Sequence, residues 1–158
     1  MTPTQLWQEF LAINPQAGSE PEPWAFGAEA DRLSDLVARG IKTSTSSAHA
    51  LYGVEGEDVP TAGGYDIILD GQGQGKAVCI IQTTKVYVTP FSQVTKEHAY
   101  KEGEFRQGGD LSDIKAKSLI HWRQVHEDLF TIWLAEAGLS FSEDMLVVCE
   151  EFELVYPK

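Results

Sequence analysis

The sequence predicts an α+β domain. Apolar residues fall at helical spacing over 4–13 and 28–39, the pattern turns β-rich from 65 to 88, and a long apolar-faced helical stretch over 112–137 precedes one more β-rich segment. At 158 residues the chain is long enough for one full core and short for two.

In the first stretch Leu6, Phe10 and Ile13 share a helical face, Trp7 lies beside them, Thr4 is the expected N-cap, and Asn14-Pro15 stops the pattern. A link rich in Pro, Gly and acidic residues, 15–23, leads to Trp24-Ala25-Phe26-Gly27. Leu33, Leu36 and Val37 mark one face of a second helix over 28–39, with Gly40 as its left-handed C′ residue. The hydroxyl-rich stretch 41–47 then favours a loop or a helix start, because such side chains compete for backbone partners. Residues 48–52 fit a short helix. Residues 65–69 and 76–88 read as a hairpin around a turn at 70–75, closed by Thr89-Pro90. Residues 92–101 read as helix and 103–113 as a polar loop with a Gly108-Gly109 pair. The longest helix carries Ile114, Leu119, Trp122, Leu129, Trp133 and Leu134 on its apolar face and is capped by Gly138, and 145–156 reads as a strand able to rejoin the sheet.

The composition, 42% hydrophobic and 23% charged, excludes a disordered chain and a disulfide-held miniprotein. Twelve basic against 24 acidic residues leave a net charge of −12, which disfavours nonspecific capture of a polyanion. Cys79 and Cys149 sit in apolar runs, as buried free thiols do, so a reduced, cytoplasmic protein is expected. The first residues carry no basic and apolar secretory pattern, and nowhere do 18 apolar residues run together, so no membrane span is expected.

Several chemistries are disfavoured by spacing. The glycine run at 71–75 leads into a strand, lacks the dinucleotide and P-loop spacings, and reads as a hairpin turn. His49, His98, His121 and His126 include no pair four apart, so no zinc or other metal site is expected, and neither a G-x-S-x-G elbow nor a C-x-x-C is present. The stretch from Gly40 to Thr45 is more informative. On one helical turn Lys42 and Thr45 would be neighbours, and an amine beside a hydroxyl activates it as a nucleophile when burial keeps the amine neutral. The plainer alternative is an exposed lysine beside an N-cap threonine. From Lys96 to Arg123 the charges balance to +1 while the rest of the chain carries −13, which suits one phosphate or a short nucleic-acid strand, or else a solvated helix face.

Gly40-x-Lys42-x-x-Thr45 resembles the signature of the ASCH domains, in the PUA-like superfamily. So do Trp24-Ala25-Phe26-Gly27, Tyr65 to Gly71, His98-Ala99-Tyr100-Lys101-Glu102-Gly103-Glu104, Trp122-Arg123-x-x-His126 and Phe141 to Glu150, in the order of the larger ASCH branch. The resemblance implies residues 1–23 as an N-terminal helix and linker and 24–158 as the domain, a PUA-like mixed β-barrel flanked by helices with the motif loop in a cleft. It implies three activities: hydrolysis of an acylated cytidine amide, cleavage of single-stranded RNA, or noncatalytic RNA binding. The catalytic set implied is Lys42, Thr45 and Glu102, with Glu104 as an alternative for the glutamate. Trp24, Phe26 and Tyr52 are candidates to stack on a base, with core packing as the alternative, and Ser44, Glu104 and Ser118 are the other expected substrate-binding residues. No cofactor is expected. The partners expected are a nucleoside or single-stranded RNA, with the chain a monomer or weak homodimer. One departure is a stretch at 105–117 between the Glu-Gly-Glu block and Ser118, with Lys117 where the branch has arginine; a lid is one role for it.

Overall fold

In the computed structural model, which describes residues 1–71, 75–105 and 109–158, helix α1 (Pro3–Ile13) begins one residue earlier than its apolar spacing predicts. The cap is Thr2, not Thr4. Proline at the first helical position has its φ already set for a helix and no N–H to satisfy. Gln5 N–H donates to Thr2 Oγ1 at 3.1 Å and Thr2 N–H donates to Gln5 Oε1 at 2.9 Å, a reciprocal capping box. Thr4 instead donates to Glu20.

A short 3-10 turn (Pro15–Ala17) leads on to α2 (Ala30–Ala38), β1 (Ser44–Ala48), α3 (His49–Glu55), β2 (Tyr65–Leu69) and β3 (Ala77–Pro90). A second 3-10 turn (Phe91–Gln93), α4 (Lys96–Lys101), α5 (Leu111–Glu136) and β4 (Leu146–Tyr156) complete the chain. Residues 72–74 of the expected turn and 106–108 of the expected loop, Arg106 and Gly108 included, lie outside the described residues. The α+β class holds, and the four strands form one curled sheet in the order β1-β4-β3-β2. The β2–β3 pair is antiparallel as the hairpin pattern predicts, with Ile67 opposite Ile80 and an irregularity between Ile68 and Leu69.

The expectation of a loop or helix start over 41–47 holds at 41–43 and is corrected beyond them. Ser44 to Ala48 is a strand, because the hydroxyls of Ser44 and Ser46 find partners elsewhere and leave the backbone to the sheet. Lys42 and Thr45 therefore do not share a helical turn.

The chain forms two compact units, which are interleaved in sequence. The first comprises Met1–Thr43, Thr61–Lys85 and Glu151–Lys158; the second comprises Ser44–Pro60 and Val86–Glu150. In the first unit α1 buries Leu6, Trp7 and Phe10 against Ile67 and Ile80, so the N-terminal helix supplies core side chains. A neighbouring cluster joins Val37 of α2 to Ile68, Cys79, Ile81 and Phe152. Burial of each such side chain stabilises by about 1.5–3 kcal/mol relative to exposure.

The second unit centres on α5, whose buried residues Ser118, Trp122, His126, Phe130 and Leu134 recur every fourth position. Phe91, Val94, Ala99, Val147 and Cys149 pack with the apolar members of that stripe, and α4 packs against α5. Two stripe positions, 118 and 126, are polar. Asp110 caps the helix by accepting from Asp113 N–H at 3.0 Å, and Gly138, at φ 75°, ends it as predicted.

Candidate functional site

The second unit holds a buried polar cluster around Glu102. This residue caps the C-terminal end of α4, where the helix dipole disfavours a negative charge, and it is only 3% exposed. Burying a carboxylate there costs several kcal/mol unless donors replace water. Four such groups gather at one oxygen, Oε2. Ser46 Oγ lies 2.6 Å away, Trp122 Nε1–H donates to it, and the Nε2 atoms of His98 and His126 lie 3.4 and 3.7 Å from it.

Each donor is itself held. Ser44 and Ser46, two apart, share a face of β1; Ser44 Oγ donates to the His98 carbonyl at 3.0 Å, and Ser46 Oγ is 2.7 Å from His98 Nε2. His98 precedes Glu102 by four residues, so both lie on one face of α4. Trp122 and His126 are likewise four apart on α5; their rings stack at 4.3 Å, and His126 Nδ1 lies 2.8 Å from the Trp122 carbonyl. The His98 Nδ1 atom is buried. Burial pushes the His98 imidazole down, but the Cys149 sulfur and the Glu102 carboxylate outweigh it and carry the ring up to about 9.

The first unit holds the motif lysine. Gly40 takes φ 73° and ends α2, with Ile41 N–H donating to the Leu36 carbonyl at 2.9 Å, so the motif glycine is the left-handed residue that closes the helix just before Lys42. Lys42 is 1% exposed, and its Nζ lies 5.3 Å from the centre of the Phe26 ring. Phe26 meets Trp24 edge to face at 4.9 Å, and Trp24 Nε1–H donates to Asp66 Oδ1 at 3.0 Å. Burial raises the Asp66 carboxyl above its ordinary value, and the Trp24 hydrogen bond partly opposes that. Trp24 is fixed to the edge of β2 by two backbone hydrogen bonds, to Ile67 and Leu69. Trp24 and Phe26 are half-buried and pack on the Val37 cluster.

The other expected residues lie in the second unit. Thr45 is half-buried on β1, and strand alternation puts it on the face opposite Ser44 and Ser46. Tyr52 is half-buried on α3. Between the two candidate glutamates, Gly103 at φ 79° turns the chain, leaving Glu102 buried and Glu104 half-buried. Ser118 Oγ sits 2.8 Å from the carbonyls of both Ile114 and Phe105, tying α5 to the end of the Glu-Gly-Glu block. Within the 105–117 stretch, residues 111–117 form the first turns of α5, and Phe105 stacks on His121. Among the described residues, no group of three or more His, Cys, Asp or Glu is placed to hold a metal, and no helix is long and apolar enough to cross a membrane.

Sequence reasoning did not single out Ser46, His98, Trp122 or His126 as members of a site. The signal was present as spacing: once 44–48 is a strand, Ser46 shares the Ser44 face, and 98/102 and 122/126 are helical neighbours.

The ASCH domain family profile matches residues 22–156. Among solved structures, a DUF984 protein of Enterococcus faecalis is 37% identical with a TM-score of 0.82, over 97% of this chain and 87% of that one. An ASCH domain of Lactobacillus crispatus is 29% identical with a TM-score of 0.79, over 98% of this chain and 94% of that one. No curated protein matches the sequence. The chain belongs to the ASCH domain family.

Proposed function

We propose that this ASCH domain takes an acylated cytidine, free or in a short single strand of RNA, and hydrolyses its acyl amide through Lys42, Thr45 and Glu102. The observation that carries the reading is Glu102, a buried carboxylate held at one oxygen by Ser46 and Trp122 with two imidazoles beside it. A buried carboxyl group set among hydrogen-bond donors and imidazoles is the environment in which such groups transfer protons. Lys42 supports the reading by its burial and its place in the family motif. The net charge of −12 favours a small substrate over a long polyanion.

In this mechanism Lys42 takes the proton of Thr45 as the threonine oxygen bonds to the acyl carbon. The carbon–nitrogen bond breaks, and the leaving amino nitrogen takes a proton from Glu102. Water then attacks the threonine ester, Glu102 recovers a proton from that water, and the threonine oxygen recovers its own from Lys42 as the carboxylic acid leaves. Trp24, Phe26 and Tyr52 supply aromatic faces for the base; stacking contributes about 1–3 kcal/mol per base.

Chromatography with mass detection of acetylcytidine tests this, with the wild type, Lys42→Ala and Glu102→Gln in parallel. Conversion to cytidine is expected for the wild type, and a rate at least about a hundredfold lower for each variant. No conversion by stoichiometric wild-type protein overturns the hydrolase. Lys42-dependent cleavage of single-stranded RNA would then assign a ribonuclease, and binding without product a noncatalytic module.

A further inference from the structure

The Glu102 cluster contains more ionisable groups than the proposed reaction uses, and their hydrogen-bond geometry restricts where protons sit. The Trp122 carbonyl only accepts, so its 2.8 Å contact with His126 Nδ1 places a hydrogen on that nitrogen. A neutral His126 would then turn the Nε2 lone pair toward Glu102 Oε2, 3.7 Å away. A proton on either partner relieves that opposition. Ser46 adds a second restriction: its single hydroxyl hydrogen serves either Oε2 of Glu102 or Nε2 of His98, both within 2.7 Å. Both contacts are satisfied together when His98 Nε2–H donates to Ser46 and Ser46 donates to Glu102.

We propose that Ser46, His98, Trp122 and His126 are positioning residues for Glu102, and that the His126–Glu102 pair shares the proton this carboxyl gives to a leaving group and recovers from water. The role in turnover rests on the proposed hydrolysis; the shared proton does not. The atoms balance within the two steps. The proton held between Glu102 and His126 forms the N–H bond of the leaving amine, which leaves an unprotonated pair, and the attacking water restores the proton. Trp122 donates to Oε2 throughout, and Ser46 links that oxygen to His98. Besides Glu102, the ionisable groups at the His98 ring are Cys149 from β4 and Tyr87 from β3, the latter 6.2 Å away centre to centre. Phe130 lies against His126 edge-on at 5.5 Å.

Nitrogen-15 NMR of the imidazole rings over a pH series tests the shared proton without any substrate. At neutral pH the wild type is expected to show Nδ1-protonated His126 and a doubly protonated His98. In Glu102→Gln the His98 midpoint should fall by at least one pH unit, and the His126 Nε2 signal should lose its dependence on a carboxyl partner. His49 and His121, outside the cluster, report whether the fold is kept. If Glu102→Gln fails to fold, Ser46→Ala is the second probe, expected to move the His98 midpoint more than that of His126. Ordinary midpoints for both rings, unchanged by either variant, overturn the proposal. In turnover of acetylcytidine, His126→Gln should lower kcat about tenfold with KM unchanged and flatten the acid limb of the pH profile. An unchanged profile overturns the catalytic half. A wild type with no turnover removes the hydrolase reading while the ring titration still decides the shared proton.

Discussion

Lys42 and Glu102 are both buried ionisable side chains, one in each unit. The face of Phe26 lies 5.3 Å from the Lys42 amine. Around Glu102 lie a hydroxyl, an indole N–H and two imidazoles, all aimed at a single oxygen. An aromatic face is a broad surface that tolerates many positions of the atom above it, whereas a buried carboxylate needs donors placed to within a few tenths of an ångström.

Substitution by apolar residues of similar size separates the two settings most strongly. Glu102→Leu should destabilise by about 3–5 kcal/mol in urea unfolding, since Trp122 Nε1 and Ser46 lose their shared acceptor in a closed core. Lys42→Met should abolish turnover of acetylcytidine. Turnover that survives Lys42→Met but not Glu102→Leu would break the comparison.

The next largest effect is pH dependence on the Glu102 side. His98 titrates at about 9 in the folded protein, above its ordinary value of 6.5. Its contribution is therefore complete below pH 6.5 and is lost as pH rises through 9, amounting to about 3 kcal/mol. Unfolding free energies measured across that window should fall in the wild type and stay level in His98→Gln.

Smaller still is the difference between adjacent hydroxyls on β1. Ser46→Ala should cost about 1–3 kcal/mol through loss of the bridge between His98 and Glu102. Thr45→Ala, on the other face, should change stability by less than about 0.5 kcal/mol and lower acetylcytidine turnover at least about a hundredfold. Turnover that depends on Ser46 and survives Thr45→Ala would place the attacking hydroxyl on the Glu102 side of the strand.

How much of this was legible in the sequence depended on whether local spacing or tertiary pairing decided the outcome. The end of α2 at Gly40, the β2–β3 pairing and the long run of α5 were readable because a left-handed cap, β-rich alternation and helical periodicity are local properties. The strand at 44–48 was not, since its serines look like loop residues until His98 and Glu102 supply partners from 52 or more positions away. For the same reason the family motif pointed to Lys42, Thr45 and Glu102, while the four residues gathered around Glu102 emerged only from the fold. Thr2 in place of Thr4 as the first cap is a smaller case: the proline between them set the helix start.

The last strand carries a consequence for the order of folding. Val147 and Cys149 of β4 belong to one core and Phe152 to the other, so both cores lack members until β4 is in place. Neither unit is a contiguous stretch of chain that could complete itself before that strand is made. A fault in this one strand therefore leaves apolar surface open in both cores at once, the kind of exposure from which misassembly starts.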